Sequence, residues 1–351
     1  MAWEGSERRA AAGSAGGTGI AQHNEEKENG MSEKIPTRDG FGKELVELGR
    51  ENDKIVVVSA DLEDATRAEY FKNEFPERFC TCGIAEQDMV GTAAGLSMHG
   101  FIPFINSFAV FMTNRAYDML RLDVCYNNCN VKIICSHAGV TVGEDGASAQ
   151  SLEDLALMRV LPNIKVVVPA DEMEARKATR IFAREAGPMY MRTSRAPFPV
   201  LTSVEDAFEI GKANIVRDGG DVTLIACGIH VSESLSAAQM LKKDGIDARV
   251  INMHTLKPID EAAIVTAARE TGAIVTAEEH QRFGGLGSAV AEVVVQQCPV
   301  PMEFVAVDDT FGQTGSPQQL LEVFHLKDKD IAAAAKQALS RKNSGAPHVK
   351  A

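Results

Sequence analysis

The chain has 351 residues, of which 45% are hydrophobic and 24% charged, and its net charge is −13. This balance is typical of a soluble globular protein, and the length allows two domains of roughly 100–200 residues each. The acidic charge argues against nucleic acid or an anionic membrane as a partner, but it leaves room for a local basic pocket that binds a phosphorylated ligand.

Residues 1–34 are predicted to be a disordered extension, because they are rich in Gly, Ala, Ser and charge and show no periodicity. They contain no apolar stretch of the kind found in secretory signals. The chain also has no apolar run near the ~18–20 residues of a membrane span. Its seven scattered cysteines form no paired Cys-x-x-Cys pattern, which indicates reduced thiols in the core of a cytoplasmic protein.

Predicted helices and strands alternate from Thr37 onward. The strands expected in the first half are Ile55–Ser59, Phe79–Cys82, Ile102–Ile105, Val131–Cys135, Ile164–Pro169 and Met189–Arg192. The helices expected between them are Gly40–Glu51, Ala65–Glu74, Glu86–Met98, Val110–Val124, Leu152–Arg159 and Asp171–Glu185. Continuous apolar strands that alternate with amphipathic helices predict a mostly parallel sheet covered on both faces.

A second α/β pattern follows a linker predicted at 198–212. Its strands are Val222–Cys227, Ala248–Met253, Ala273–Ala277 and Met302–Val307, and its helices are Val231–Asp244, Glu261–Thr271, Gly287–Gln297, Pro317–Phe324 and Lys329–Leu339. We therefore predict an α/β fold of two three-layer α/β/α domains with mostly parallel sheets, over residues 35–197 and 213–340, and a flexible tail over 341–351.

Polar and aromatic side chains follow several of the predicted strands in the first half. They are Asp61, Glu86, Phe108, His137 and Arg195. Because ligands of open parallel sheets bind beyond the carboxyl ends of the strands, we expect these residues to line one crevice.

Glu86 begins an apolar helix spaced by glycines, so a carboxylate there is poorly placed for solvent. Burial would raise the pKa of such a carboxyl toward neutrality and allow it to exchange a proton. The alternative is an acid that satisfies free backbone N–H groups at a helix start.

A set of motifs stands in the order found in transketolases. They are SADL (59–62), GIAEQ (83–87), PFINSFAVF (103–111), HAGVTVGEDGAS (137–148), RTSR (192–195), INMHTLKPID (251–260) and AEEHQRFGGLGSAVAEVV (277–294). The chain thus resembles the C-terminal part of that family, which has a pyrimidine-binding domain followed by a smaller C-terminal domain. The resemblance implies transfer of a two-carbon ketol group between sugar phosphates, with thiamine diphosphate as cofactor.

Enzymes of this family hold the diphosphate and Mg²⁺ with a Gly-Asp-Gly motif followed by Asn, and the sequence has no Gly-Asp-Gly. The resemblance therefore implies one half of a split transketolase. A separate N-terminal subunit would carry the motif and ligate Mg²⁺, so no metal ligand is expected in this chain. The expected assembly is a heterotetramer that contains a pair of these chains and is active only when both subunits are present.

The resemblance also gives individual residues expected roles. Glu86 matches the catalytic glutamate that bonds the aminopyrimidine ring, Asp61 an acid near the cofactor, and Phe108 and Phe111 the aromatic residues against that ring. Arg115 begins RAYD, the version found in deoxyxylulose-phosphate synthases, and is also expected near the cofactor. From the residues alone, the phenylalanines could be ordinary core and Asp61 a helix cap.

The substrate positions match a histidine, an acid and several arginines. His137 is expected to bind sugar hydroxyls and to move protons, and Asp145 to select a hydroxyl. Arg38, Arg192 and Arg195 are expected to clamp the sugar phosphate, since a guanidinium matches phosphate oxygens. Surface ion pairing is the alternative for each arginine.

One departure concerns position 149, where the family usually has a histidine that helps to bind substrate oxygens and this chain has Ala149. Three alternatives stay open. RAYD supports a deoxyxylulose-phosphate synthase-like enzyme, and the two-chain organisation supports a 2-oxo-acid dehydrogenase beta-type enzyme. The Ala149 change makes a non-catalytic partner or regulatory subunit less remote.

Overall fold

The computed structural model describes residues 33–344. Its strands are β1 (Lys34–Ile35), β2 (Ile55–Ser59), β3 (Phe79–Thr81), β4 (Ile102–Phe108), β5 (Lys132–Ser136), β6 (Lys165–Val167), β7 (Met189–Arg192), β8 (Phe198–Pro199), β9 (Asn214–Arg217), β10 (Val222–Ala226), β11 (Ala248–Asn252), β12 (Thr255–Lys257), β13 (Ile274–Gln281) and β14 (Met302–Val307). The predicted extension and tail lie outside the described residues, except for residues 33–34 and 341–344.

The helices connect these strands on both faces of the sheets. They are Thr37–Glu51, Glu63–Thr66, Glu69–Glu74, Glu86–Met98, Ala109–Arg115, Tyr117–Met119, Asp154–Val160, Glu172–Arg184, His230–Lys243, Glu261–Thr271, Leu286–Gln297, Pro317–Val323 and Asp328–Ser344, with a π-helix at Leu120–Tyr126 and 3₁₀ turns at Pro76–Arg78 and Val140–Asp145.

The first sheet has the strand order β12-β6-β7-β5-β4-β2-β3 within the described residues. All of its pairs are parallel except β12 with β6. Adjacent residues of a strand point to opposite faces. Val57 packs with Phe41 under one helical layer, while Val58 packs with Met89 and Met112 under the other. Burial on both faces explains why the strand sequences are continuously apolar, and the predicted fold class is confirmed.

The second sheet has the order β14-β13-β10-β11-β9, again parallel except for its edge strand β9. Sequence periodicity missed β9 and β12, which are short antiparallel edge strands. It also missed the antiparallel pairing of Lys34–Ile35 with Phe198–Pro199. This pairing joins the two ends of the first predicted domain, whose predicted bounds are 35 and 197. Such short strands carry too few residues to show a period of two.

Two predicted helices are interrupted. The helix expected over 65–74 breaks at Arg67, which has a left-handed φ of 69°. The helix expected over 110–124 breaks at Ala116 and continues as the π-helix. No Gly or Pro marks either break, so the sequence pattern gave no signal.

The domain boundaries stay predictions, but the second half of the chain does not keep to its own sheet. Strand β12 belongs to the second predicted domain and joins the first sheet at β6. One apolar cluster also runs from Val58 and Met89 in the first domain to Ile251, Met253 and Leu286 in the second. The two domains therefore share a core.

All seven cysteines are free thiols. Cys80 is exposed, which differs from the core position that the sequence indicated. No helix among residues 33–344 is long and apolar enough to cross a membrane.

Candidate active site at the carboxyl edge of the first sheet

Neighbouring strands bring the predicted residues to one edge of the first sheet. Strands β7, β5, β4, β2 and β3 are consecutive in the sheet. Their carboxyl ends lead to Arg195, His137, Phe108, Asp61 and Glu86 respectively. The expected crevice thus has a common structural basis, which is the parallel direction of these strands.

Glu86 is the first residue of the helix Glu86–Met98 and is only 3% exposed. A turn with Gly83 at φ +68° leads from β3 into this helix. The carboxylate accepts a hydrogen bond from Arg115 Nη1 at 2.9 Å. Glu86 is therefore engaged by a side chain from a neighbouring helix, which differs from the helix-start alternative.

Aromatic rings extend from Arg115 toward the centre of the sheet. The guanidinium of Arg115 lies 4.2 Å from the ring centroid of Phe111. Phe111 stacks on Phe108 at 5.5 Å, and Phe108 stacks on the imidazole of His137 at 3.7 Å with an interplanar angle of 15°. The stacked rings of Phe111 and Phe108 thus connect Arg115, which bonds Glu86, with His137.

His137 is buried and has a φ of 57°, a conformation that non-glycine residues adopt mainly where surrounding contacts enforce it. Its Nδ1 is 2.9 Å from Ser136 Oγ. Burial, together with the charges of Arg38, Arg195 and Arg67, lowers its pKa to about 3. The imidazole is therefore neutral near pH 7 and can donate or accept a hydrogen bond.

Three arginines gather their charge near this ring. Burial lowers the pKa of Arg38, and the neighbouring cations Arg67 and Arg195 lower it further, while Asp39, which pairs with Arg67 at 2.7 Å, offsets part of this effect. Like charges repel, so an anion bound among them would be stabilised. Arg67 was not predicted, because it lies at the helix break that the sequence did not reveal.

Arg195 is held by the 3₁₀ segment Val140–Asp145. Its Nη1 donates to the carbonyl of Val142 at 2.5 Å and to Glu144 Oε2 at 3.0 Å. The bond from Arg195 lies among the causes that lower the pKa of Glu144, after its own backbone bond. This segment ends at Asp145, which is exposed to solvent.

Arg192 differs from Arg195 although both stand in one short motif. Arg192 is 5% exposed, its Nε is 3.2 Å from Asp154 Oδ2, and its Nη2 donates to the carbonyls of Ser151 and Glu279. Protein groups engage this guanidinium on several sides. The geometry therefore does not support the phosphate-binding role expected for Arg192.

The remaining predicted residues have weaker structural support. Asp61 is exposed at the end of β2 with a φ of 60°, and Ala149 is buried beside Phe108 and Val142. Among residues 33–344, no group of three His, Cys, Asp or Glu side chains is arranged to hold a metal ion.

Two family models match the chain. The transketolase pyrimidine-binding domain matches residues 33–199, and the transketolase C-terminal domain matches residues 211–331. The chain belongs to the transketolase family. It spans about half the length of the vertebrate transketolases that it matches.

Relatives of similar length are also found. The chain is 43% identical to the "Putative transketolase C-terminal section" of Methanocaldococcus jannaschii, over 84% of this chain and 93% of that protein. It is 42% identical to the 6-deoxy-6-sulfo-D-fructose transketolase subunit SqwH of Clostridium sp. strain MSTE9, over 87% and 95%. A solved split-gene transketolase, described as an inactive beta4 tetramer, has a TM-score of 0.81 and 49% identity, over 88% of this chain and 99% of that one. This transketolase-family chain thus resembles the C-terminal subunit of a split enzyme.

Proposed function

We propose that the chain is the C-terminal subunit of a thiamine diphosphate-dependent transketolase and moves a two-carbon ketol group between sugar phosphates. The observation that carries this proposal is the chain of contacts from the buried carboxylate of Glu86, through Arg115, Phe111 and Phe108, to neutral His137. The cationic group of Arg38 and Arg195 lies within electrostatic range of that line.

The residues at this edge fit the pyrimidine end of the cofactor. Phe111, with Phe108 stacked beside it, would offer an apolar face to a flat ring, and Glu86 offers a buried acceptor for a ring N–H. Arg115 now bonds Glu86 and covers Phe111, so it has to move aside for a ring to reach them. Its side chain is 49% exposed and can do so.

When bound, thiamine diphosphate supplies a nucleophilic carbon and accepts the electron pair of the ketose carbon–carbon bond that breaks. Glu86 would hold a proton of the pyrimidine ring at its carboxylate, away from water. Neutral His137 would bond a sugar hydroxyl or the substrate carbonyl, and Asp61 would lie near the cofactor. Arg195, Arg38 and the exposed Asp145 would select the phosphate and a sugar hydroxyl of the substrate.

A separate N-terminal subunit with the Gly-Asp-Gly motif would hold the diphosphate and Mg²⁺. The similarity to a transketolase C-terminal section and to a split-gene transketolase supports this two-chain organisation. The helix Glu86–Met98 supports a further protein contact. An added Cβ at Gly91 or Gly95 would meet nothing within 4 Å. Met98 at the end of the same helix is exposed, as is Tyr126 on the π-helix that contacts it. A second copy of this chain would cover that face in the proposed heterotetramer.

The test is coexpression with such an N-terminal subunit, followed by assays with xylulose 5-phosphate and with pyruvate as the donor. We expect ketol transfer from xylulose 5-phosphate only when both chains are present. Glu86→Gln should lower kcat by roughly 10²–10⁴-fold, the range typical of an acid–base group. Glu44→Gln is the matched control, because Glu44 is an equally buried carboxylate that pairs with Arg176 and Arg180 on another part of the domain.

Other outcomes favour the alternatives. Turnover of pyruvate as the donor, without turnover of xylulose 5-phosphate, would indicate a deoxyxylulose-phosphate synthase-like or 2-oxo-acid dehydrogenase beta-type enzyme. Full activity of the Glu86→Gln variant together with the N-terminal subunit would indicate a non-catalytic subunit. Circular dichroism would check that the Glu86→Gln and Glu44→Gln variants are both folded.

A further inference from the structure

Two neighbouring glutamates at the end of β13 serve different domains. Glu278 accepts bonds from the backbone N–H groups of Leu286 and Gly287 at 2.7 and 2.8 Å, and so caps a helix of its own domain. Glu279 points to the opposite face, as alternation in a strand requires. It reaches into the first domain and is only 6% exposed.

Glu279 is bonded to the segment that follows His137. Its Oε2 accepts from the backbone N–H of Thr141 at 3.0 Å and from the Thr141 hydroxyl at 2.8 Å. Gly139 has a φ of +80°, and a Cβ there would lie 2.1 Å from Glu279 Cδ. The glycine is therefore needed for the carboxylate to approach this closely.

The anchored segment is the one that holds Arg195. Thr141 precedes Val142, whose carbonyl accepts from Arg195, and Glu144 accepts from the same guanidinium nitrogen. Gln150 also links this segment to the second domain, because its side-chain amide donates to the carbonyls of Val140 and Gln313. Displacement of Thr141 would therefore move both acceptors that orient Arg195.

We infer that Glu279 of the second domain is a positioning residue for substrate binding, which fixes Val140–Asp145 and through it the guanidinium of Arg195. This inference rests on the proposed function, in which Arg195 binds the substrate phosphate. It gives the second domain a part in the active site beyond assembly. Arg192 supports the same arrangement, since it donates to the carbonyl of Glu279 at 3.1 Å.

The test compares Glu279→Ala, Glu279→Gln and Glu278→Gln in the full chain with its N-terminal partner. Hydrogen exchange would be measured at residues 139–146. We expect Glu279→Ala to speed exchange of the Thr141 amide by about tenfold or more, because it loses a charged acceptor. Glu279→Gln keeps one acceptor oxygen and should restore much of the protection. Glu278→Gln should speed exchange at Leu286 and Gly287 and leave Thr141 unchanged.

The kinetic readout is the split between KM and kcat. Glu279→Ala should raise KM for xylulose 5-phosphate about tenfold, with a much smaller change in kcat and in the affinity for thiamine diphosphate. Unchanged exchange at Thr141 would overturn the inference, as would faster exchange without a rise in KM. If the wild-type pair shows no ketol transfer, the proposed function fails, and the exchange data alone then uphold or overturn the anchoring by Glu279.

Discussion

The two sheets have similar parallel architectures, but their carboxyl edges have different surroundings. At the edge of the first sheet, Asp61 is exposed and the side chains of Arg115 and Arg195 are 49% and 34% exposed. At the edge of the second sheet, His230, His254 and His280 are completely buried. The edge that binds ligands in many parallel α/β proteins is thus accessible in one domain and covered in the other.

The first domain is what covers the second edge. Val168 N–H donates to the carbonyl of His254 at 2.8 Å, and Ala156 N–H points to His280 Nε2 at 3.3 Å. The glycine-rich start of the helix Leu286–Gln297 resembles an anion site, but Glu278 already occupies its N–H groups. Strand direction alone therefore does not make a site, because the edge also has to remain open.

Arg192 and Arg195, which stand in one motif, give the sharpest test of the difference between a buried and an accessible position at a strand end. Arg192→Met should lower the free energy of unfolding by about 3–5 kcal/mol, because it leaves the buried carboxylate of Asp154 without its cation. Arg195→Met should change stability by much less than that and raise KM for the phosphorylated donor. Urea unfolding and steady-state kinetics of both variants measure the two effects. Equal stability losses would show that Arg195 is structural as well.

Glu174 tests the covered edge through pH. Burial, with the nearby charge of Asp171, raises its pKa to about 7, while its carboxylate accepts from Ala170 N–H and Asn252. The folded state therefore binds the proton more tightly than the unfolded state, whose pKa is near 4.5. The stability that this provides is complete below about pH 4.5 and is lost as the pH rises through 7.

Glu174→Gln removes that titration. As the pH rises from 5 to 9, we expect the free energy of unfolding of the variant to increase by roughly 2–3 kcal/mol relative to that of the wild type, since each pKa unit corresponds to about 1.4 kcal/mol. Urea midpoints at several pH values provide the measurement. A constant difference across this range would contradict the raised pKa.

Ala149 tests the open edge with the smallest expected effect. Because Ala149 is packed beside Phe108 and Val142, Ala149→His should cost about 1–2 kcal/mol of stability through overpacking. It should also raise transketolase turnover of the reconstituted pair. If turnover does not rise, the missing histidine is not what limits this protein.

Much of the fold was predictable because its central strands are buried on both faces. Ile55–Ser59 and Met189–Arg192 have their predicted bounds, as does the helix Glu86–Met98. The edge strands β9 and β12 were not predictable, since their pairing depends on distant segments. The helix break at Arg67 was equally hidden, because a left-handed arginine has no local signal.

The expectation that ligands bind beyond the carboxyl ends of parallel strands also placed the main site residues at one edge of the first sheet. It did not distinguish buried from accessible residues there. Arg192 and Arg195 look equivalent in the sequence, and only the tertiary contact with Asp154 separates them. Likewise, the bond between Glu279 and Thr141 joins residues 138 positions apart. Periodicity and motif spacing contain no information on such pairs.

Strand β12 has a consequence for the order in which the protein is made. Thr255 pairs with Val167, so the edge of the first sheet is completed only by residues synthesised about 90 positions later. While the ribosome is still translating the second half, β6 has an unpaired edge of the kind that other chains can pair with. The nascent first domain is therefore exposed to aggregation until Thr255–Lys257 has emerged.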